Sequence, residues 1–99
     1  MTEAELLKKI KNGLGIYTNF QDDTLKEYIS EVQEYMRGAG VSEDVLNSAA
    51  SVGAIRQGVN DLWNYTAGGV KFSPYFHQRV LQLRRAKAPK EEAANVQTE

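Results

Sequence analysis

Cysteine is absent from this chain of 99 residues, and histidine occurs once, as His77. The first absence excludes a disulfide scaffold, a thiolate zinc site and a cysteine nucleophile. The second leaves no HxxxH or HxxE pair, whereas a metal site needs three or four ligands. His77 therefore reads as a surface or groove histidine. No apolar run approaches the ~20 residues of a membrane span. The segment MTEAELLKKIKNG carries Glu3 and Glu5 where a signal peptide needs an uninterrupted apolar stretch. The expectation is a soluble protein made in the cytoplasm, with no membrane partner. The glycines form neither a Walker loop nor a GxGxxG, and Ser42, Ser48, Ser51 and Ser73 lack a GxSxG context. Asp22 and Asp23 are adjacent and do not converge on one substrate, and helix capping accounts for them. The chain reads as a non-enzyme with no catalytic residues, no cofactor and no metal.

Net charge is also small, at −1, with a sequence pI near 5.8, which argues against a general nucleic-acid binder. The charges are nonetheless segregated. Residues 71–90 hold Lys71, Arg79, Arg84, Arg85, Lys87 and Lys90 and no acid, while residues 17–46 hold seven acids against Lys26 and Arg37. An acidic half and a basic half suit either head-to-tail self-association or a charged partner, and equally two solvated helix faces.

What is present is helical periodicity. Hydrophobic residues make up 41% of the chain, enough for a core. A chain of this length makes one domain and buries only roughly 60–65% of its unfolded surface, so its stability alone is modest. Thr2 with Glu5 three positions on forms a capping box, and Leu6, Leu7, Ile10 and Leu14 follow at helical spacing until Gly13 and Gly15. Asp22 or Asp23 caps a second helix over roughly 23–37. Its inward stripe is Leu25, Tyr28, Ile29, Val32, Tyr35 and Met36, and Gly38 and Gly40 end it. Ser42 caps a short turn through VSEDVLN. From Val52 to Tyr65, Val52, Ile55, Val59, Leu62 and Trp63 keep the period with only Arg56 and Asp61 charged, as in a central helix covered on more than one side. Close approach of another helix would compensate Gly53 and Gly58, and Trp63 would be the largest core anchor. A Gly68–Gly69 loop precedes Ser73–Pro74, an N-cap and first helical residue. The last helix runs to Ala86 with Phe76, Val80, Leu81 and Leu83 inward. The tail, 87–99, is Pro-interrupted, almost without large apolar residues, and reads as flexible.

The fold expected is therefore all-α, a small bundle of four to five helices over residues 1–86, with a Gly-rich loop before the last helix and a disordered tail. The core set is Leu25, Tyr28, Ile29, Val32, Ile55, Val59, Leu62, Trp63, Val80 and Leu83. The candidate partner interface is Phe72, Tyr75, Phe76, Arg79, Arg84 and Arg85, because aromatics and arginine are enriched at interfaces. Tyr17, Phe20, Phe72 and Tyr75 sit in or beside loops, where aromatics more often cover a core edge than form an interface. A helix-turn-helix over VLNSAASVGAIRQGVNDLW is the main alternative, but it offers only Arg56 and Gln57 as exposed readers where direct readout wants several. A small DNA-binding or regulatory module, or a host interaction module dimerising through the Gly-rich helix, stays open on these residues.

The order of segments resembles the head-tail connector, or head completion, proteins of long-tailed bacteriophages. The resemblance is carried by Asp22, Leu25, Tyr28 and Ile29 in a "D-x-x-L-x-x-Y-I" opening, by the apolar IRQGVNDLWNY, and by Ser73, Pro74, Phe76, Val80, Leu81, Leu83 and Arg84 in a closing helix with a Leu-Arg end. It covers roughly residues 20–86. It implies a structural protein of the virion neck that binds beneath the portal protein as a homo-oligomeric ring, dodecameric by that likeness. It further implies an extended channel through which double-stranded DNA passes without sequence-specific binding, and a docking surface for the next neck or tail protein.

Overall fold

Thr2 opens the first helix in the computed structural model, which describes residues 1–65 and 71–86. Its hydroxyl accepts the Glu5 N–H at 3.1 Å while the Glu5 carboxylate accepts the Thr2 N–H at 2.8 Å. The reciprocal pair satisfies two donors that the first turn leaves free, and these bonds hold the Glu5 carboxyl below the usual range. Helix α1 spans Glu3–Leu14 and buries Leu6, Leu7 and Ile10. It continues through Gly13 and stops at Gly15, whose φ of 73° lets the chain turn back.

Helix α2 spans Asp22–Gly38. Its cap position is Gln21, which makes no side-chain cap bond, so Asp22 and Asp23 are first-turn residues rather than caps. Their charge still favours the positive end of the helix dipole, and Asp22 also pairs with Lys11 at 2.7 Å, tying α2 to α1. Leu25, Ile29, Val32 and Met36 are buried, Tyr28 is half-buried and Tyr35 lies at the rim. Gly38 is the last helical residue, and the left-handed position is Gly40, at φ 102°. Helix α3, Glu43–Leu46, is capped by Ser42, and a 3₁₀ turn over Ala49–Ser51 leads into α4, Val52–Trp63. At that junction the buried Ser51 hydroxyl donates to the Leu46 carbonyl at 2.8 Å. Helix α5 spans Pro74–Arg84. The described residues form an all-helical structure without strands.

Helices α2 and α4 are the central pair, with α1 and α5 laid against them. Ile55, Val59, Leu62, Phe76, Val80 and Leu83 join the α2 residues in one cluster. Gly58 explains how α5 comes so close. A Cβ there would sit 2.8 Å from the Phe76 ring and 2.8 Å from a Val32 methyl, nearer than real side chains come. Gly53 differs from expectation, because nothing approaches within 4 Å of where its Cβ would be.

Trp63 is not a core anchor. Helix α4 ends at Trp63 rather than at Tyr65, so the indole stands at the rim, 37% exposed and covered edge-on by Tyr28 at 6.0 Å. Leu81 is likewise 52% exposed, since it follows the buried Val80 by about 100° around the helix and so turns outward. The expected Gly68–Gly69 loop and the expected flexible tail, 87–99, lie outside the described residues.

Candidate functional site

Helix α5 and the residues flanking it are those expected to meet a partner, and the helix's placement follows from five contacts. Ser73 caps it, its hydroxyl accepting the Phe76 N–H at 3.2 Å, with Pro74 next in the first turn. Asp61, near the end of α4, accepts both the Ser73 N–H at 2.9 Å and the Ser73 hydroxyl at 2.8 Å on Oδ2, while Gln57 donates to Oδ1 at 2.9 Å. One carboxylate thus clamps the start of α5 to α4. Lys71 pairs with Glu31 of α2 at 2.5 Å, and that carboxylate pushes the lysine pKa up. Further along, the Tyr35 hydroxyl meets His77 Nδ1 at 2.8 Å, and the Arg84 side chain lies over Gly40. Helix α5 therefore runs alongside α2 in the same direction.

Replacing Asp61 by Ala removes three hydrogen bonds at once and leaves the Ser73 N–H without its partner. The expected loss is about 2 kcal/mol, by analogy with losing a cap and a charge-assisted bond together. Urea unfolding of Asp61→Ala checks it, and an unchanged midpoint would mean the clamp adds nothing to the fold.

This seating divides the six expected interface residues. Phe72 and Phe76 are core residues, at 7% and 0% exposure, stacked at 4.6 Å on each other and within 5.1 and 5.6 Å of the Tyr35 ring. The reason is the close approach at Gly58, which opens a slot for Phe76 and draws Phe72 over it. Tyr75 is 59% exposed and Arg84 and Arg85 are exposed. Arg79 is half-buried, with its guanidinium donating to Gln82 at 2.7 Å. On the helix, Tyr75 and Arg79 share one flank, and Tyr75 lines an open depression of about 400 Å³ together with Gly13, Arg56 and Asn60. Arg84 lies on the opposite flank beside α2, and Leu81 and Arg85 form the outermost strip between them.

The most exposed aromatics sit elsewhere. Tyr17 and Phe20, in the α1–α2 connection, are 82% and 91% exposed, so they cover no core edge. That connection is nevertheless held firmly. The Gly15 and Ile16 N–H groups both return to the end of α1, and Lys11 reaches Asn19 at 3.1 Å as well as Asp22. The signal for these two was in the sequence, because neither falls on the apolar stripe of the helix before or after it.

At the far end of α2, Arg37 joins α2 to α3 by bridging Glu34 at 2.7 Å and Glu43. The Glu43 bond pushes the arginine pKa up and the Glu43 pKa down. Among the described residues no group of three or more acidic or histidine side chains is placed to hold a metal, and no helix is long and apolar enough to cross a membrane. What the surface offers is apolar and charged contact area on firm helices.

A family model described as "Phage gp6-like head-tail connector protein" matches residues 4–98. No curated protein and no solved structure matches.

Proposed function

The chain belongs to the phage gp6-like head-tail connector family, a structural component of the phage neck, and on that premise we propose that it assembles as a ring beneath the portal vertex. In this reading residues 1–86 act as one connector domain, the ring lengthens the DNA channel, and its lower face receives the next neck or tail protein. The observation that carries the reading furthest is α5, a helix clamped at its start by Asp61 and presenting Tyr75 and Arg79 on one flank. A rigid helix with an aromatic and an arginine at its edge suits a protein interface better than a ligand pocket. We assign this flank to the portal. The net charge of −1 suits a channel wall, since strong phosphate contacts would hold DNA back.

The test is to mix the protein with purified portal rings and with DNA-filled, tailless capsids and to image the vertex by electron microscopy. A new ring of density below the portal is expected, and Tyr75→Ala/Arg79→Ala should lower its occupancy about tenfold, as loss of a central aromatic and arginine does elsewhere. Unchanged vertices, with the protein folded and free, would overturn the reading. Salt-dependent duplex binding would then favour a DNA-binding module.

A further inference from the structure

Two exposed patches of opposite charge sit too far apart on this chain to meet each other. The first surrounds Phe20, 91% exposed, one residue before the Gln21 cap of α2. Asp23 and Glu27 follow it on the first two turns of α2, four residues apart and so on one side of the helix. Both are exposed, and neither forms an ion pair among the described residues, unlike Glu31 and Glu34 further along. The second is the outermost strip of α5, with Leu81 at 52% exposure and Arg85 one turn beyond it.

The distance between them follows from the contacts. Lys71 stands at Glu31, His77 at Tyr35 and Arg84 at Gly40, so Leu81 is level with the last turn of α2. Phe20 precedes the first turn. At 1.5 Å per residue the two patches are about 25 Å apart along the bundle.

We propose that these patches are the two halves of one contact between copies of this chain, Phe20 of one copy packing on Leu81 of the next, with Asp23 and Glu27 facing Arg85. Each half offers an apolar residue beside charge, and the charges are opposite. Because the halves are different surfaces at opposite ends, the contact is head-to-tail and propagates from copy to copy, as ring closure requires. The proposal rests on the ring reading above and adds which surfaces meet. The Lys11 contacts that hold the α1–α2 connection present Phe20 in place before the neighbour arrives, which spares the ordering cost of binding.

The absence of native cysteine makes the test clean. Phe20→Cys and Leu81→Cys are made in separate copies, both at exposed positions, then mixed at high concentration and oxidised. Mass spectrometry of the linked peptides reads which cysteines joined. The expected result is a mixed bond well above the share that random collision gives. Asp23→Lys/Glu27→Lys in the first copy, or Arg85→Glu in the second, should lower its yield about tenfold, and the two together should restore it. A random distribution of bonds, or insensitivity to charge reversal, overturns the contact. Ring density on portals together with random bonding would sink this contact and leave the ring reading standing. Selective bonding without ring density would do the reverse.

Discussion

Phe76→Ala is expected to cost about 4 kcal/mol, within the range for deleting a fully buried aromatic. Phe76 has no exposed surface and is the largest of the fully buried side chains. Its ring touches Phe72 and Tyr35 and fills the space over Gly58 and Val32. Truncation loses the ring's own burial and leaves a void that stiff neighbours fill only in part. Domains are stable by roughly 0.05–0.15 kcal/mol per residue, so for a chain this small the loss is a large share of the whole margin. Chemical denaturation followed by helical circular dichroism should show a large fall in midpoint, or no folded baseline at all. A loss under about 1 kcal/mol would mean that the slot over Gly58 collapses freely. The same variant should fail to add ring density at the portal for want of a folded α5, and a protein-binding assay alone would mistake that for an interface effect. Tyr75→Ala, exposed, separates the two because it leaves the core intact.

Gly58→Leu should cost as much or more, from the opposite cause. The first carbon added already meets the Phe76 ring and both Val32 methyls at under 3 Å. Overpacking of this kind costs about 1–3 kcal/mol even when neighbours can shift. Here the obstacles are a buried ring and a β-branched residue on a helix, which turn with difficulty, and three further carbons must follow. Gly58→Ala gives the mild form of the same clash. It is partly offset by the better helix propensity of alanine, about 1 kcal/mol. Because the two sites touch, their effects should not add. Phe76→Leu alone destabilises, and Gly58→Ala/Phe76→Leu should lose less than the sum of the single changes, since the shorter side chain vacates the space that the new methyl needs. Strict additivity in a thermodynamic cycle would show that α5 is not seated against α4 at this point. Gly53→Ala is the control, because that position opens on empty space.

The helices were legible because their punctuation is local. Thr2 with Glu5, Ser42, and Ser73 with Pro74 mark starts that the structure uses. The stripe Leu25, Ile29, Val32 and Met36 is a period that only a helix satisfies. Side-chain depth was less legible, since it depends on what lies across the bundle. Phe72 and Phe76 fitted a partner surface beside a basic helix, although Phe76 also falls on that helix's inward face. They are buried because Gly58, fourteen residues before the first of them, leaves room. Trp63 looked like an anchor from size alone, and the end of α4 puts it at the rim. The Asp61 clamp on Ser73 was out of reach, because a lone carboxylate twelve residues away has no spacing signature. The surface around Phe20 was the reverse case. Its exposure follows from being out of phase with both flanking helices, a negative pattern that is easily passed over.

The triangle of Gly58, Val32 and Phe76 also bears on how related chains can diverge. A side chain cannot be gained at position 58 without ground being given at 76 or 32, so these three sites should drift together rather than singly. In a set of relatives, any residue other than glycine at 58 should travel with leucine or something smaller at 76, or with alanine at 32. Lineages that break this rule would have re-seated the last helix, and with it the edge they offer to their neighbours.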